Sequence, residues 1–259
     1  MIGNSINASV PPALQSLIQG KILASNGVLP LINGLAFDFQ FPSQPVVTQN
    51  TIGLFLNATF FNQTRGYKVP SEPVNDVFLN FSSTSQILVD TSRYTVNSLL
   101  LTLQDSQFLQ FNLDEKNVGP SLGPKYLNTS YMDSILPGLV ERYGRDQPMS
   151  INLVTKEAPV SFFEVGVLGV RLTADLQVYV GSELAAVIEV TEGEGSLYAA
   201  LGPYTDYLLV IRLLTFKING SKVVSSQIGN IDVESMRNFV NFYAWLALPV
   251  VNVLMQPGF

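Results

Sequence analysis

From Ser150 to Val233 the sequence is dominated by strand patterning, and it then switches to a helical period. Ile151, Leu153 and Thr155 alternate with polar neighbours, and Val160–Phe163, Val165–Val180, Ala185–Thr191, Ser196–Leu201, Leu208–Lys217 and Lys222–Gln227 follow as strand-like runs. In Asp232–Phe259 the residues Phe239, Phe242, Tyr243, Leu246, Val250 and Leu254 recur at close to helical spacing. One helix face therefore carries a continuous aromatic and aliphatic stripe. Asp232 can cap its start with Ser235 in the first turn, and Pro249 predicts a kink or a break. Many antiparallel strands closed by two or three such helices point to an α+β barrel-like domain rather than a Rossmann or TIM fold. A greasy helix on a sheet either completes a filled core or lines a cavity, and periodicity alone does not separate the two.

Upstream, Pro11-Pro12 opens a short amphipathic helix with Leu14, Leu17 and Ile18 on one face. Leu35–Phe41 alternates as a strand, Pro42–Gln49 reads as a turn or linker, and Thr51–Asn62 as one strand. Phe78–Ser82 and Gln86–Asp90 are strand-like, and Ser92–Leu103 is a helix whose broad apolar side holds Tyr94, Val96, Leu99, Leu100 and Leu103. After a strand over Phe108–Leu113 and an irregular loop over Asn117–Pro124, Asn128 or Ser130 begins a second helix. Its stripe is Ile135, Leu136, Leu139, Val140 and Tyr143, and Pro137-Gly138 marks a start or bend within it. Gly169 predicts a bulge or tight bend; Glu192–Gly195 and Asn219-Gly220 predict turns.

Composition removes most chemistries. The chain has no His and no Cys, which excludes thiol catalysis, the usual zinc sites and every triad that needs imidazole. Gly193-Glu194-Gly195 lacks the lysine and the strand–loop–helix setting of a phosphate loop, and the carboxylates Asp105, Asp114 and Glu115 flank a strand and loop. No enzyme, metal or cofactor is expected. A net charge of -6 argues against nucleic acid and against strong attraction to anionic membranes. Only 13% of residues are charged, against roughly 25% in an average domain, while 16 Phe, 10 Tyr and 5 Met suit a deformable apolar interior. No signal peptide is visible and no apolar stretch is long enough to span a membrane, so the chain reads as soluble. Sequons at Asn7, Asn57, Asn62, Asn80, Asn128 and Asn219 are candidate glycan acceptors if the chain enters the secretory pathway.

Several passages, taken in order, resemble one family. INASVPPALQSLIQGKILASNGVLPLINGLAFDF resembles the close of an amino-terminal barrel, and TIGLFLNATFFN a strand leading into a central sheet. ILVDTSRYTVNSLLLTLQD is similar to the start of a carboxy-terminal barrel, and SYMDSILPGLVERYGRDQPMSINLVTKEAPVSFFEVGVLGVRLTADLQVYV to its helix and long strands. VESMRNFVNFYAWLALPVVNVLMQPGF resembles the long last helix with its Leu-Pro-x-x-Asn turn. The family is that of the bactericidal permeability-increasing, lipopolysaccharide-binding and cholesteryl ester transfer proteins, the tubular lipid-binding (TULIP) group.

The resemblance implies an elongated α+β fold in which a twisted antiparallel sheet wraps around amphipathic helices as a barrel. Residues 1–73 would be the end of an amino-terminal barrel and a central-sheet linker, and 74–259 the carboxy-terminal barrel without its last strand. It implies non-catalytic binding, and transfer, of phospholipid or another fatty-acyl lipid in an apolar tube. Tyr94, Leu99, Leu100, Leu103, Ile135, Leu136, Leu139, Val140, Tyr143, Phe239, Phe242, Tyr243, Leu246, Val250 and Leu254 would line that tube, with Leu14, Leu17 and Ile18 in the other barrel. It further implies a secreted glycoprotein, or one of the secretory or endolysosomal lumen, with transient membrane contact. Because most of one barrel is missing, a fragment, or a protein partner that completes or covers the fold, is expected. The alternative is a structural or interaction module whose barrel is filled by side chains such as Trp245 and the phenylalanines, docked on a larger assembly. The basic tip with which some members capture lipopolysaccharide is absent.

Overall fold

The structure, a computed structural model, describes residues 26–31, 34–48, 52–70, 91–119, 122–164, 167–201 and 209–255. The expected helix with Leu14, Leu17 and Ile18, the strands at 78–82 and 86–90, and the sequons at Asn7 and Asn80 lie outside the described residues. The chain divides into two compact units, Met1–Thr102 and Leu103–Phe259.

In the first unit, β1 (Val28–Pro30), β2 (Leu35–Asp38) and β5 (Thr59–Asn62) form an antiparallel sheet in the order β1-β2-β5, while β3 (Val46–Val47) pairs with β4 (Ile52–Gly53). The expected strand over Leu35–Phe41 stops at Asp38. The Asp38 carboxylate is 3% exposed and accepts bonds from the Gln40 N–H at 2.9 Å, Asn57 Nδ2 at 2.6 Å and the Tyr67 hydroxyl at 2.8 Å. A side chain that captures local backbone N–H groups competes with the ladder. The single strand expected over Thr51–Asn62 is not formed: β4 ends at Gly53 and β5 begins at Thr59. Between them Leu54 and Leu56 are exposed, and Ala58 takes a φ of 48°, which turns the chain out of extended geometry.

The helix expected over Ser92–Leu103 is α1 (Arg93–Asp105), which starts one residue later and ends two residues later than predicted, with the Ser92 hydroxyl accepting the Thr95 N–H at 3.2 Å. It buries Leu99 and Leu100, but also Thr95, Ser98 and Thr102. Ser98 Oγ accepts the N–H of Phe60 at 3.0 Å, and Thr102 Oγ1 donates to the Phe60 carbonyl at 3.1 Å. Both backbone groups of one residue on the edge strand β5 are thereby satisfied by helix hydroxyls.

The second unit is built on a sheet in the order β11-β10-β9-β7-β6, with β8 also pairing β9. Its strands are β6 (Gln110–Leu113), β7 (Met149–Thr155), β8 (Val160–Glu164), β9 (Val167–Val180), β10 (Glu183–Leu201) and β11 (Leu209–Ser226), all antiparallel. β6 and β11 end the order and do not pair with each other, so the sheet is open among the described residues. The turns expected at Glu192–Gly195 and Asn219-Gly220 do not form. They instead face each other inside two long strands: Glu192 pairs with Gly220 and Gly193 with Ile218, with register shifts on both sides. Glycine served a bulge here rather than a chain reversal. A Cβ on Gly220 would lie 2.6 Å from Thr191 Oγ1, and one on Gly195 2.9 Å from Leu213 Cδ1. The bulge expected at Gly169 is likewise absent; the Phe162 ring packs directly over the missing side chain.

The loop expected over Asn117–Pro124 overlaps at its two ends with single-turn helices, α2 (Glu115–Val118) and α3 (Gly123–Tyr126). The second long helix is split into α4 (Thr129–Met132), capped by Asn128, and α5 (Leu139–Tyr143). Pro137-Gly138 divides them as its chemistry suggested: Gly138 has a φ of 101°, and the Asp133 carboxylate takes the N–H groups of Gly138 at 3.1 Å and Val140 at 2.9 Å.

Candidate functional site

The inner face of the second sheet follows from simple alternation. Met149, Ile151 and Leu153 on β7, Leu176 and Val178 on β9, and Ile188 and Val190 on β10 are buried, while the residues between them face outward. On the outer face Lys156 bridges Asp175 and Glu189, both at 3.1 Å, and Lys222 meets Glu189 at 3.1 Å. Hydrogen bonds from Lys222 and Lys156 hold the Glu189 carboxyl below the usual carboxylate range. Charge is thus kept on one side of the sheet and apolar surface on the other.

Against the apolar side lies α6 (Val233–Met255). Asp232 begins it by accepting the Ser235 N–H at 2.8 Å, a bond that lowers the Asp232 pKa. Phe239, Tyr243, Leu246, Ala247 and Val250 fall on one stripe at 8% exposure or less. Each large side chain buried there contributes roughly 1.5–3 kcal/mol. The helix does not break at Pro249 but continues to Met255. Pro249 is exposed and lacks the N–H that would reach the Trp245 carbonyl, a loss tolerated on the outer side of the helix. Beyond it, the segment read as a Leu-Pro-x-x-Asn turn is helical. Asn252 Oδ1 accepts the Leu213 N–H at 2.8 Å and its Nδ2 donates to the Leu213 carbonyl at 2.9 Å. This two-way bond pins the helix to β11, the terminal strand.

The apolar cluster of this unit gathers Leu136, Leu139, Phe239, Tyr243, Leu246 and Val250 with the inner sheet face, and Ile135, Tyr143 and Phe242 pack on its margin. Val140 is half-buried, and the side chain of Leu254 lies outside the described residues. Tyr94, Leu99 and Leu100 belong to the first unit, where Tyr94 is half-buried; buried Leu103 is the first residue of the second. The helix periodicity did not single out Leu127, Met132, Ile228, Ile231 and Val240, which the cluster also contains. Leu127, Met132, Ile228 and Ile231 sit on short turns and irregular segments, where no period is long enough to read, and Val240 lies on α6 beside the stripe that was read.

Trp245 does not fill this interior. It is 56% exposed and lies in a surface cluster of rings, 5.6 Å from Tyr126 and 6.1 Å from Phe242, with Tyr131 5.9 Å from Phe242. Lys125 stands 4.9 Å from the centre of the Tyr126 ring. Inside, one polar atom stands out. The Tyr243 hydroxyl is buried among apolar side chains and has no hydrogen-bond partner among the described residues. Burial pushes its pKa far up, so it stays a neutral phenol with a free donor. No group of residues able to hold a metal ion occurs among the described residues, and no described helix is long and apolar enough to cross a membrane.

No curated protein matches the chain. A model of the LBP / BPI / CETP family, C-terminal domain, matches residues 32–259. That span takes in both units' described strands from β2 onward, α1 and the whole of α6. The chain therefore belongs to the LBP / BPI / CETP family, a family of lipid-binding and lipid-transfer proteins, through its C-terminal domain.

Proposed function

We propose that this protein binds phospholipid or another acyl-chain lipid, without catalysis, in the apolar interior between α6 and the inner face of the second sheet, and that it passes lipid between membranes. The observation that carries this reading is the unpartnered Tyr243 hydroxyl. A buried hydroxyl without a bond costs about 1–3 kcal/mol. A lipid ester carbonyl is an acceptor that would remove that cost, while its acyl methylenes contribute roughly 0.8 kcal/mol each on burial. Phe239, Leu246 and Val250 share the buried stripe with Tyr243 and would contact the chain. Ile135, Leu136, Leu139, Val140 and Tyr143 of the same unit, and the wrapping of the sheet into a barrel, belong to this same proposal. So does residence in the secretory or endolysosomal lumen, for which family membership is the support.

Transient membrane contact would use the surface ring cluster, in which Trp245 and Tyr131 are exposed and Tyr126 and Phe242 half-buried. Amphipathic Trp and Tyr rings beside a lysine suit the headgroup level of a bilayer. A second reading, a filled structural module that docks on a protein partner, is favoured by one observation: Phe239, Tyr243 and Leu246 are at most 1% exposed against the sheet. Photo-crosslinking separates the two. A phospholipid with a diazirine in its acyl chain should label peptides of α6 and of β7, β9 and β10, saturate near one lipid per chain, and be displaced by unlabelled phospholipid. Label confined to the exposed side around Trp245, or label that never saturates, would refute an interior site and favour the filled module.

A further inference from the structure

Four of the six sequons lie among the described residues, and three of these have their own polar groups committed to the fold. Asn57 Nδ2 donates to the buried Asp38 carboxylate at 2.6 Å, and Thr59, 2% exposed, donates its hydroxyl to the Asn57 carbonyl at 3.1 Å. Asn128 Nδ2 donates to the carbonyls of Pro124 at 2.8 Å and Lys125 at 3.2 Å, its Oδ1 accepts the Tyr131 N–H at 2.9 Å, and Ser130 Oγ accepts the Asp146 N–H at 3.1 Å. Asn62 Oδ1 accepts the N–H groups of Thr64 at 2.9 Å and Arg65 at 3.1 Å.

Asn219-Gly220-Ser221 differs in its bonding. Neither the Asn219 nor the Ser221 side chain is bonded to a described residue, and Asn219 is exposed. The ladder passes Asn219 over: Gly220 pairs with Glu192 and Ile218 with Gly193, so Asn219 is the extra, unpaired residue of the bulge. It lies on β11, which has one strand partner among the described residues and ends the sheet order. Gly220, the middle residue of the sequon, is required by packing because a side chain there would meet Thr191. Asn219 itself faces no such limit.

We propose that Asn219 carries an N-linked glycan, and that the fold accommodates it at this position while Asn57 and Asn128 are held by their own bonds. The donor is an oligosaccharide on a lipid pyrophosphate. Asn219 Nδ2 bonds to the anomeric carbon, the carbon–oxygen bond to the pyrophosphate breaks, and the amide proton leaves with no change in oxidation state. Transfer to the nascent chain comes before folding, so the folded geometry decides which glycosylated chain can complete its fold. The inference rests on the secretory placement proposed above and not on lipid binding.

The test is site mapping on the protein recovered from its native cells. Enzymatic release of N-glycans in heavy-oxygen water converts each occupied Asn to a labelled Asp, read by peptide mass spectrometry. Label at Asn219 is the expected result. Label at other sequons with Asn219 bare would overturn this inference and leave the secretory placement standing; no label at any sequon would overturn both. In the full chain expressed through a eukaryotic secretory pathway, Asn219→Gln and Ser221→Ala should each remove the same single glycan. Ser221→Ala keeps the asparagine, so a folding defect specific to Asn219→Gln does not obscure the result; retention of the glycan in Ser221→Ala would count against the site.

Discussion

Replacing Tyr243 with Phe removes one oxygen and leaves the ring, and its effect should change with lipid. The hydroxyl is buried without a partner among the described residues, so where no lipid meets it its removal relieves a desolvation cost of about 1–3 kcal/mol. Tyr243→Phe should therefore stabilise the delipidated protein by roughly that amount, against the usual direction for a core substitution. In the phospholipid-loaded protein the same hydroxyl donates to the lipid, a bond worth about 0.5–1.5 kcal/mol net, so the gain should vanish or reverse. Urea unfolding of wild type and variant, each delipidated and loaded, gives the four midpoints at a common slope. A loss of stability in the delipidated variant would show that the hydroxyl already has a partner. An identical change with and without lipid would show that lipid does not reach it. Either result refutes the role given to Tyr243.

Asn252→Ala strips both bonds from the Leu213 backbone and should cost about 2–3 kcal/mol in urea unfolding, because an N–H and a carbonyl are left unsatisfied together. Gly138→Ala should cost at least ~2 kcal/mol by the same assay, since φ is 101° and the new Cβ would strike the Ile228 carbonyl. Partial burial and the neighbouring Asp38 carboxylate push the Tyr67 phenol from 10.0 up to about 12. Its stabilisation is complete below pH 10, where the unfolded phenol is also neutral, and is lost as the pH rises towards 12. The stability difference between wild type and Tyr67→Phe should accordingly narrow over that window in alkaline unfolding curves, and a constant difference would contradict the assignment. Trp245, the only tryptophan, should shift its emission to the blue on addition of phosphatidylcholine vesicles, with no shift counting against membrane contact at this face.

The parts of the fold that were legible in the sequence are those with long, one-sided patterns. β7 and the second half of β9 alternate cleanly, and Phe239, Tyr243, Leu246 and Val250 keep a helical period over three turns, so their burial could be read in advance. Glycine was the weakest guide. At Glu192–Gly195 and Asn219-Gly220 the same residues that close hairpins instead relieved crowding between paired strands, and only the pairing itself distinguishes these uses. Small polar residues were the other blind spot. Ser98, Thr102 and Asn252 look neutral within helices, yet they complete the backbone bonding of Phe60 and Leu213 on terminal strands. Their role depends on a strand distant in sequence. Trp245 was ambiguous for a different reason: a broad apolar stripe has margins, and only packing decides which margin faces out.

The most direct test of interior lipid binding is to purify the protein under native conditions, extract it, and quantify bound lipids by mass spectrometry beside an unrelated protein handled identically. The account predicts an acyl lipid selectively enriched at close to one per chain, and lost acyl-lipid selectivity when Leu246 or Val250 is replaced by a polar residue in a variant that remains folded. Lipid recovered only at the level of the control, and still only there after reloading with phospholipid, would contradict it and leave α6 as the lid of a filled core.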